Sequence, residues 1–228
     1  MTNEPRDPER DASGFYVDLL HRLLQVLAER ALTVIDANRY AEDHGDVRNR
    51  TGANNLNEAF SHLAALVQDA PNLSYDEQLA QIVELEDHMR RSMMESFEQV
   101  AKYRLGKIKQ AGLWDKYQRR SAPLIARGKL SGAPDADEIR ELEIRVRYYL
   151  REGSNRKVVT RRARQWNEWV EGAEHFSRAA EAAKELADKL RQAIGAAQDY
   201  RRTRLGIVVG LLALLAGIAG VIVALTVK

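Results

Sequence analysis

Residues 205–227 read LGIVVGLLALLAGIAGVIVALTV, and this stretch decides the fold more than any other part of the chain. It contains no charged residue, and its single hydroxyl belongs to Thr226. At a rise of 1.5 Å per residue, such a helix is about 34 Å long, which exceeds the roughly 30 Å hydrocarbon core of a bilayer. The sequence therefore predicts one transmembrane helix over 205–227, with the lipid bilayer as its partner.

Small residues line one face of this predicted span. They follow each other at steps of 4, 3, 4, 3 and 4 residues, and they are Gly206, Gly210, Ala213, Gly217, Gly220 and Ala224. Small side chains let two backbones approach closely, which drives helix association in lipid, where burial from water no longer contributes. We therefore expect a homo-oligomer formed through this face. The alternative is that Gly and Ala are simply frequent in membrane helices.

The residues that flank the span predict its orientation. Arg201, Arg202 and Arg204 precede it and Lys228 follows it, so the positive-inside rule places residues 1–204 in the cytoplasm. Residues 1–13 are polar and charged, unlike a signal peptide. We expect a single-pass, tail-anchored protein. The high Arg and Ala content is typical of a bacterium with GC-rich codons and favours a bacterial inner membrane, while the orientation rule holds equally for an organelle membrane.

Hydrophobic residues recur every three to four positions through the rest of the chain, and no stretch alternates with the period of two that is typical of a strand. The predicted fold is all-α: a cytoplasmic helical bundle whose long C-terminal helix continues into a single transmembrane helix. The predicted divisions are a disordered segment at 1–12, the bundle at 13–153, a long amphipathic juxtamembrane helix at 154–204 and the anchor at 205–227. The chain has no cysteine, so packing alone must hold this fold.

Local signals predict several helix ends. A Ser-x-x-Glu capping box from Ser74 to Glu77 begins one helix. Residues 45–55, rich in Gly and Asn, are predicted to form a loop, and another helix is predicted to stop near Gly153.

The juxtamembrane helix carries a stripe typical of a coiled-coil seam. Its members are Ala173, Phe176, Ala180, Ala183, Ala187, Leu190, Ile194 and Ala197. If the helix continues into the span, the same spacing of three and four residues reaches Val208, Leu211 and Leu215. These residues lie on the side of the helix opposite the glycines. One seam therefore cannot make both contacts, and we expect the stripe to dock on the helical body while the glycine face joins protomers.

Charge is strongly polarised along the chain, although the net charge is only +2. Residues 1–100 hold 19 acidic and 9 basic side chains, a net charge of −10. Residues 101–228 hold 14 acidic and 26 basic side chains, a net charge of +12. The basic residues after position 100 have three expected partners, in order: an acidic helix of the chain itself, an anionic lipid surface, and nucleic acid. The acidic residues of that helix are Glu84, Glu86, Asp87, Glu95 and Glu98. The candidate contact residues are Lys102, Lys107, Lys109, Lys116, Arg119, Arg120, Arg156, Lys157, Arg161, Arg162 and Arg164.

Motifs for phosphate-binding loops, serine hydrolases and zinc proteases do not occur in the sequence. Di-iron helical bundles use Glu-x-x-His, whereas this chain has only the longer spacing Glu-x-x-x-His. We interpret these pairs as surface ion pairs, expect no metal and no cofactor, and do not predict an enzyme. The pairs are Glu58/His62, Glu84/His88 and Glu171/His175.

Arg39 and His44 form an R-x4-H pattern within the stretch RYAEDH. This pattern resembles the motif of the HEPN family, all-helical RNases with paired Arg and His at a dimer cleft that cleave RNA without metal. The resemblance implies that His44 acts as acid or base and that Arg39 stabilises the phosphate. Tyr40 departs from the polar residue that the family commonly has after the Arg.

The predicted role is therefore that of a membrane-localised effector or scaffold that self-associates through its transmembrane face and holds a cytoplasmic protein partner. Two alternatives stay open. One is a membrane-tethered, HEPN-like RNase that uses Arg39 and His44. The other is an adaptor that binds anionic lipid or nucleic acid through its basic segments.

Overall fold

The chain is all-α, as predicted. The structure, a computed structural model, describes residues 8–45, 49–160 and 166–226, with side chains described for 17–45, 49–158 and 166–219. No strand occurs among these residues. The helices are α1 (Pro8–Gln25), α2 (Ala31–Gly45), α3 (Arg50–Asp69), α4 (Tyr75–Gln110), α5 (Leu113–Arg120), α6 (Ala122–Ile125), α7 (Ala136–Thr160) and α8 (Trp166–Thr226), with a π-helical turn at Val26–Arg30 and a 3₁₀ turn at Ala70–Asn72.

Contacts divide the chain into two compact units. The first unit is Met1–Leu105 with Arg145–Glu181, and the second is Gly106–Ile144 with Ala182–Lys228. Because α4, α7 and α8 each contribute to both, the unit boundaries fall inside helices.

Helix α1 begins at Pro8, inside the segment predicted to be disordered, while residues 1–7 lie outside the described part. Proline is favoured in the first turn of a helix, where its missing N–H has no partner to lose. Glu9 and Asp11 follow it in the sequence and favour a helix N-terminus electrostatically. These local signals extend the helix by one turn beyond its hydrophobic stripe.

The predicted loop at 45–55 is shorter than expected, because α3 already begins at Arg50. Asn49 is its N-cap, and the Asn49 side chain accepts a hydrogen bond of 3.1 Å from the Gly52 backbone N–H. The Asn49 amide also donates to Asn38 Oδ1 at 2.9 Å and to Ser96 Oγ at 2.6 Å. A Cβ at position 52 would lie 2.3 Å from the Asn49 amide nitrogen, so this buried network needs glycine there.

Helix α4 confirms the predicted capping box. The Ser74 N–H donates to Glu77 Oε2 at 2.7 Å, and the Glu77 N–H donates to Ser74 Oγ at 3.3 Å. Hydrogen bonds from the Ser74 side chain and then from its backbone lower the pKa of Glu77. The two residues thus satisfy each other's polar groups at the start of the longest helix of the body.

The prediction that a helix stops near Gly153 is wrong, because α7 runs through it to Thr160. A Cβ on Gly153 would lie 2.9 Å from the buried ring of Phe176, and one on Gly172 would lie 2.6 Å from Met94 Cε. Both glycines therefore permit close helix packing in the first unit rather than breaking a helix. The core there is formed chiefly by Ile82, Leu85, Met89, Met93, Met94, Trp169 and Phe176.

The second unit joins short helices to the later part of α8. Leu113 and Tyr117 of α5 and Ile139 and Leu142 of α7 are buried. Gly128 and Gly132, at φ of 62° and 73°, form the turns between α6 and α7. Two contacts fix this region against α8: Lys189 Nζ lies 2.6 Å from Glu138 Oε1, and the Gln192 amide donates to the Gly132 carbonyl at 3.3 Å.

Candidate membrane-association surface

Residues 205–219 of α8, here called the apolar half, are uncovered along their whole length. Every one of them is exposed, with Leu205 at 66% and Leu214 at 62%. Within the described ranges, α8 alone is long and apolar enough to cross a membrane, and none of its apolar stretch is buried in the chain. So large an exposed apolar surface is unfavourable in water and marks a contact with lipid or protein.

The glycine face of the apolar half is open. A Cβ built on Gly206, Gly210 or Gly217 would meet no heavy atom within 4 Å. Ala213 on the same face is exposed as well. The side chains at 220 and 224, which complete the predicted face, lie outside the described residues. The described positions thus leave a shallow strip of backbone accessible to another helix.

A positive collar precedes the apolar half. Arg201, Arg202 and Arg204 are exposed. The Arg204 guanidinium carbon lies 5.6 Å from the centroid of the Tyr200 ring, and Arg202 lies 3.9 Å from an Asp199 carboxylate oxygen. An aromatic ring beside a guanidinium is typical of the boundary between lipid and water, where rings of Tyr and charges of Arg are both enriched.

Residues 173–197 of α8, here called the covered half, differ sharply from the apolar half. All eight members of the predicted stripe are buried within the single chain, from 0% exposure at Phe176 and Leu190 to 8% at Ile194. In the first unit, Ala173 and Phe176 join the main core, while Ala180 packs with Ala41, Val100 and Ala101. This burial supports the expectation that the stripe docks on the body of its own chain.

Several predicted contact residues of the first unit form ion pairs inside the chain. Glu98, with a side chain only 14% exposed, has Lys102 Nζ and Lys157 Nζ each at 2.6 Å. Burial acts to raise the pKa of Glu98, but the hydrogen bonds from Lys102 and Lys157 outweigh it, and the net result is a lowered pKa. Arg156 lies 3.4 Å from Glu171. Lys102 and Lys157 thus contact Glu98 within the chain, and Arg156 contacts Glu171.

The predicted contact residues of the second unit are exposed. Lys107, Lys109, Lys116, Arg119 and Arg120 are all exposed. Lys116 Nζ donates to the nearby Ala111 carbonyl at 2.8 Å. Helix α5 buries Leu113 and Tyr117, and its exposed charged residues are Lys116, Arg119 and Arg120 with one acidic residue, Asp115. Arg161, Arg162 and Arg164, the last members of the predicted set, lie outside the described residues.

Arg39 and His44 are both exposed on α2. Five positions apart, they are separated by about 140° around the helix at ~100° per residue. His44 Nδ1 lies 3.0 Å from the Tyr40 carbonyl oxygen, and its ring stacks on Tyr40 at 4.4 Å between centroids. The two side chains therefore leave α2 in different directions, and the HEPN-like role stays a prediction.

Sequence reasoning missed a buried charge cluster in the first unit. Glu86 is 5% exposed and forms ion pairs with Arg30 and Arg90, with Arg22 further away at 3.8 Å. The Arg30 guanidinium also lies 5.2 Å from the centroid of the Trp166 ring. Arg30 ends the π-helical turn, and the hydrophobic pattern of the sequence does not indicate which charged side chains meet between helices.

A second missed feature joins two of the predicted Glu-x-x-x-His pairs. His62 of α3 and Glu84 and His88 of α4 offer ligand atoms that all lie within 4.8 Å of one another. His88 Nδ1 also lies 2.9 Å from Glu58 of α3, so the pairing crosses between helices. The repeated spacing on consecutive helices is the signal that could have found this cluster.

Comparisons of the chain with protein-family models, with curated proteins and with solved structures find no match.

Proposed function

We propose that this protein is anchored in a membrane by α8 and self-associates there, acting as a membrane-localised effector or scaffold that carries its helical body at the cytoplasmic face. The observation that carries the proposal is the full exposure of the uncharged residues 205–219 in a helix whose preceding stripe is buried. A helix over 205–226 has 22 residues and is about 33 Å long, which suits a bilayer core of roughly 30 Å.

The orientation rests on the positive collar. Arg201, Arg202 and Arg204 stand at the body side of the apolar half, where exposed guanidinium groups favour the cytoplasmic leaflet. Anionic headgroups there attract each nearby cation by about 1 kcal/mol. The exposed basic residues of α5 offer further charges of the same sign to an anionic surface. We therefore favour lipid over nucleic acid as the partner of the basic residues in the second unit.

Self-association is proposed through the glycine face. Gly206, Gly210 and Gly217 leave open space where any other residue has a side chain, so a second helix can approach the backbone closely. The covered half offers no equivalent surface, because its stripe is buried by the same chain. Contact between protomers is thus assigned to the apolar half alone.

The test is the mass of the full-length protein in detergent. We expect a defined oligomer for the wild type and a monomer for Gly210→Leu/Gly217→Leu, because two leucines separate the backbones. The matched control Val208→Leu/Ala219→Leu adds bulk on the side away from Gly210 and should keep the oligomer. Monomers in all three samples would contradict self-association and reduce α8 to an anchor.

Dye release from vesicles then separates the two roles. An effector that perturbs membranes should release dye from vesicles of anionic lipid only when it is oligomeric, so Gly210→Leu/Gly217→Leu should be inactive. A scaffold should form the same oligomer in the vesicles and leave them intact. Vesicles of zwitterionic lipid serve as the control for the contribution of the basic residues.

A further inference from the structure

Two histidines and a glutamate from neighbouring helices converge on the surface of the first unit. The rings of His62 and His88 stack with their centroids 5.2 Å apart and their planes at 21°. With Glu84, they form a group of three side chains whose ligand atoms lie within 4.8 Å of one another. His62 is partly buried, His88 is largely buried, and Glu84 is exposed and free to adjust.

We propose that His62, Glu84 and His88 bind a divalent transition-metal ion, and that Zn²⁺ is the ion this donor set fits best. Two imidazole nitrogens with one carboxylate oxygen are a known set of three protein ligands for Zn²⁺. At about 2.1 Å from each donor, a tetrahedral ion holds its ligands about 3.4 Å apart. The donors therefore need to close by about 1.4 Å at most, which side-chain rotation supplies. A water molecule completes the tetrahedron.

An oxygen atom within hydrogen-bond distance of Nδ1 in each ring supports this assignment. His62 Nδ1 lies 2.7 Å from Gln81 Oε1, and His88 Nδ1 lies 2.9 Å from Glu58 Oε2. An Nδ1–H that donates to such an oxygen fixes the tautomer and leaves the other ring nitrogen with a free lone pair. Metal-binding histidines almost always have such an oxygen behind them, because it orients the ring and increases its basicity.

The site differs from a simple surface ion pair in what surrounds it. His88 is 12% exposed, so most of its ring is held by the protein before any ion arrives. The three ligands of the proposed site come from α3 and α4. These two helices already pack in one core through Ala59, Ile82 and Leu85. A bound ion would therefore link two preformed helices, and it is independent of the membrane role proposed for α8.

The experiment uses the full-length protein in detergent, prepared without a histidine tag, with Co²⁺ as the probe and Zn²⁺ as the competitor. We expect one Co²⁺ per chain, with the visible absorption of a tetrahedral site, displaced by Zn²⁺. Glu84→Gln should weaken binding at least tenfold, and His62→Ala/His88→Ala should abolish it. Because Glu84 is exposed, its substitution leaves the fold intact, and circular dichroism verifies this for each variant.

Two further variants sharpen the assignment. His44→Ala removes an exposed histidine on α2 and should not change Co²⁺ binding. Glu58→Gln should weaken binding less than Glu84→Gln, since Glu58 orients a ring rather than binding the ion. The proposal is overturned if the folded wild type binds no Co²⁺ at micromolar concentration. Equal binding by the wild type and Glu84→Gln, or a larger loss in Glu58→Gln, would also overturn it.

Discussion

The two halves of α8 contain stripes that are both rich in small residues, and these stripes meet opposite environments. In the covered half, Ala173 to Ala197 repeat at steps of three and four and are buried by their own chain. In the apolar half, Gly206 to Gly217 repeat at the same steps and are exposed. Leu190 is 0% exposed and Leu214 is 62% exposed within one continuous helix.

The difference lies on the other faces of the helix. Beside its stripe, the covered half presents charged residues such as Glu174, Arg178 and Asp188, which suit water. The apolar half presents only apolar residues on every side, so no orientation of it is stable in water. Small-residue spacing therefore shows that a helix can pack closely, whereas the remaining faces show in which solvent it packs.

The largest expected effect comes from placing charge in the apolar half, which tests whether lipid surrounds it. Leu215→Arg/Ile218→Arg puts two guanidinium groups near the middle of the span, at a cost of about 2.5–3.5 kcal/mol each. We expect the protein to leave the membrane fraction. Flotation of cell membranes measures this, with Leu215→Ala/Ile218→Ala as the control that should float. Retention of the arginine variant in membranes would mean that a protein partner, not lipid, covers this surface.

The second test adds the same side chain to each half. Ala183 is 0% exposed, so Ala183→Leu overpacks a filled contact and should lower the free energy of unfolding by about 1–3 kcal/mol. Ala216 is exposed, and Ala216→Leu should change the stability of the body by less than about 0.5 kcal/mol. Thermal unfolding in detergent, followed by circular dichroism, measures both. Equal shifts for the two variants would show that the covered half is not more tightly packed than the apolar half.

The sequence predicted what depends on periodicity and on short-range chemistry. The helical class, the Ser74 to Glu77 cap and the apolar stretch of α8 all follow from spacing and composition, and the structure confirms them. The stripe in the covered half could also be predicted from the sequence, because burial imposes a helical repeat on small and apolar residues.

Features that depend on contacts between helices could not be predicted from the sequence. Gly153 looks like a helix end in sequence, and only the neighbouring Phe176 ring explains why glycine lies inside α7. The loop is shorter than the predicted range of 45–55, because Asn49 and Gly52 are residue types typical of loops and only their buried partners show their place at the start of α3. Likewise, Lys157 and Arg119 are both basic residues within basic segments of the sequence, yet Lys157 contacts Glu98 and Arg119 is exposed to solvent.

The smallest expected effect concerns the ion pair between Glu98 and Lys157. It tests whether charge as well as packing supports the helices beside the covered half. Lys157 lies on α7, whose Gly153 packs against Phe176, and it pairs with Glu98 of α4. The folded state lowers the pKa of Glu98, so this carboxylate stabilises the fold above its unfolded pKa, and the stabilisation is lost as the pH falls through the folded value. The relevant pH window therefore runs downward from the ordinary pKa of glutamate, about 4.3.

We expect Glu98→Gln to lower the free energy of unfolding by about 1–2 kcal/mol at pH 7 and by less at pH 3. The wild type should thus lose more stability than Glu98→Gln between pH 5 and pH 3, as measured by urea unfolding in detergent. Lys157→Met should reduce the pH dependence in the same way, and Lys102→Met less, because the Lys102 side chain is 69% exposed and that of Lys157 is 22% exposed. Parallel losses in the wild type and Glu98→Gln would mean that the Glu98 ion pairs contribute no net stability beside the covered half, since protonating a carboxylate that contributes nothing cannot weaken the fold.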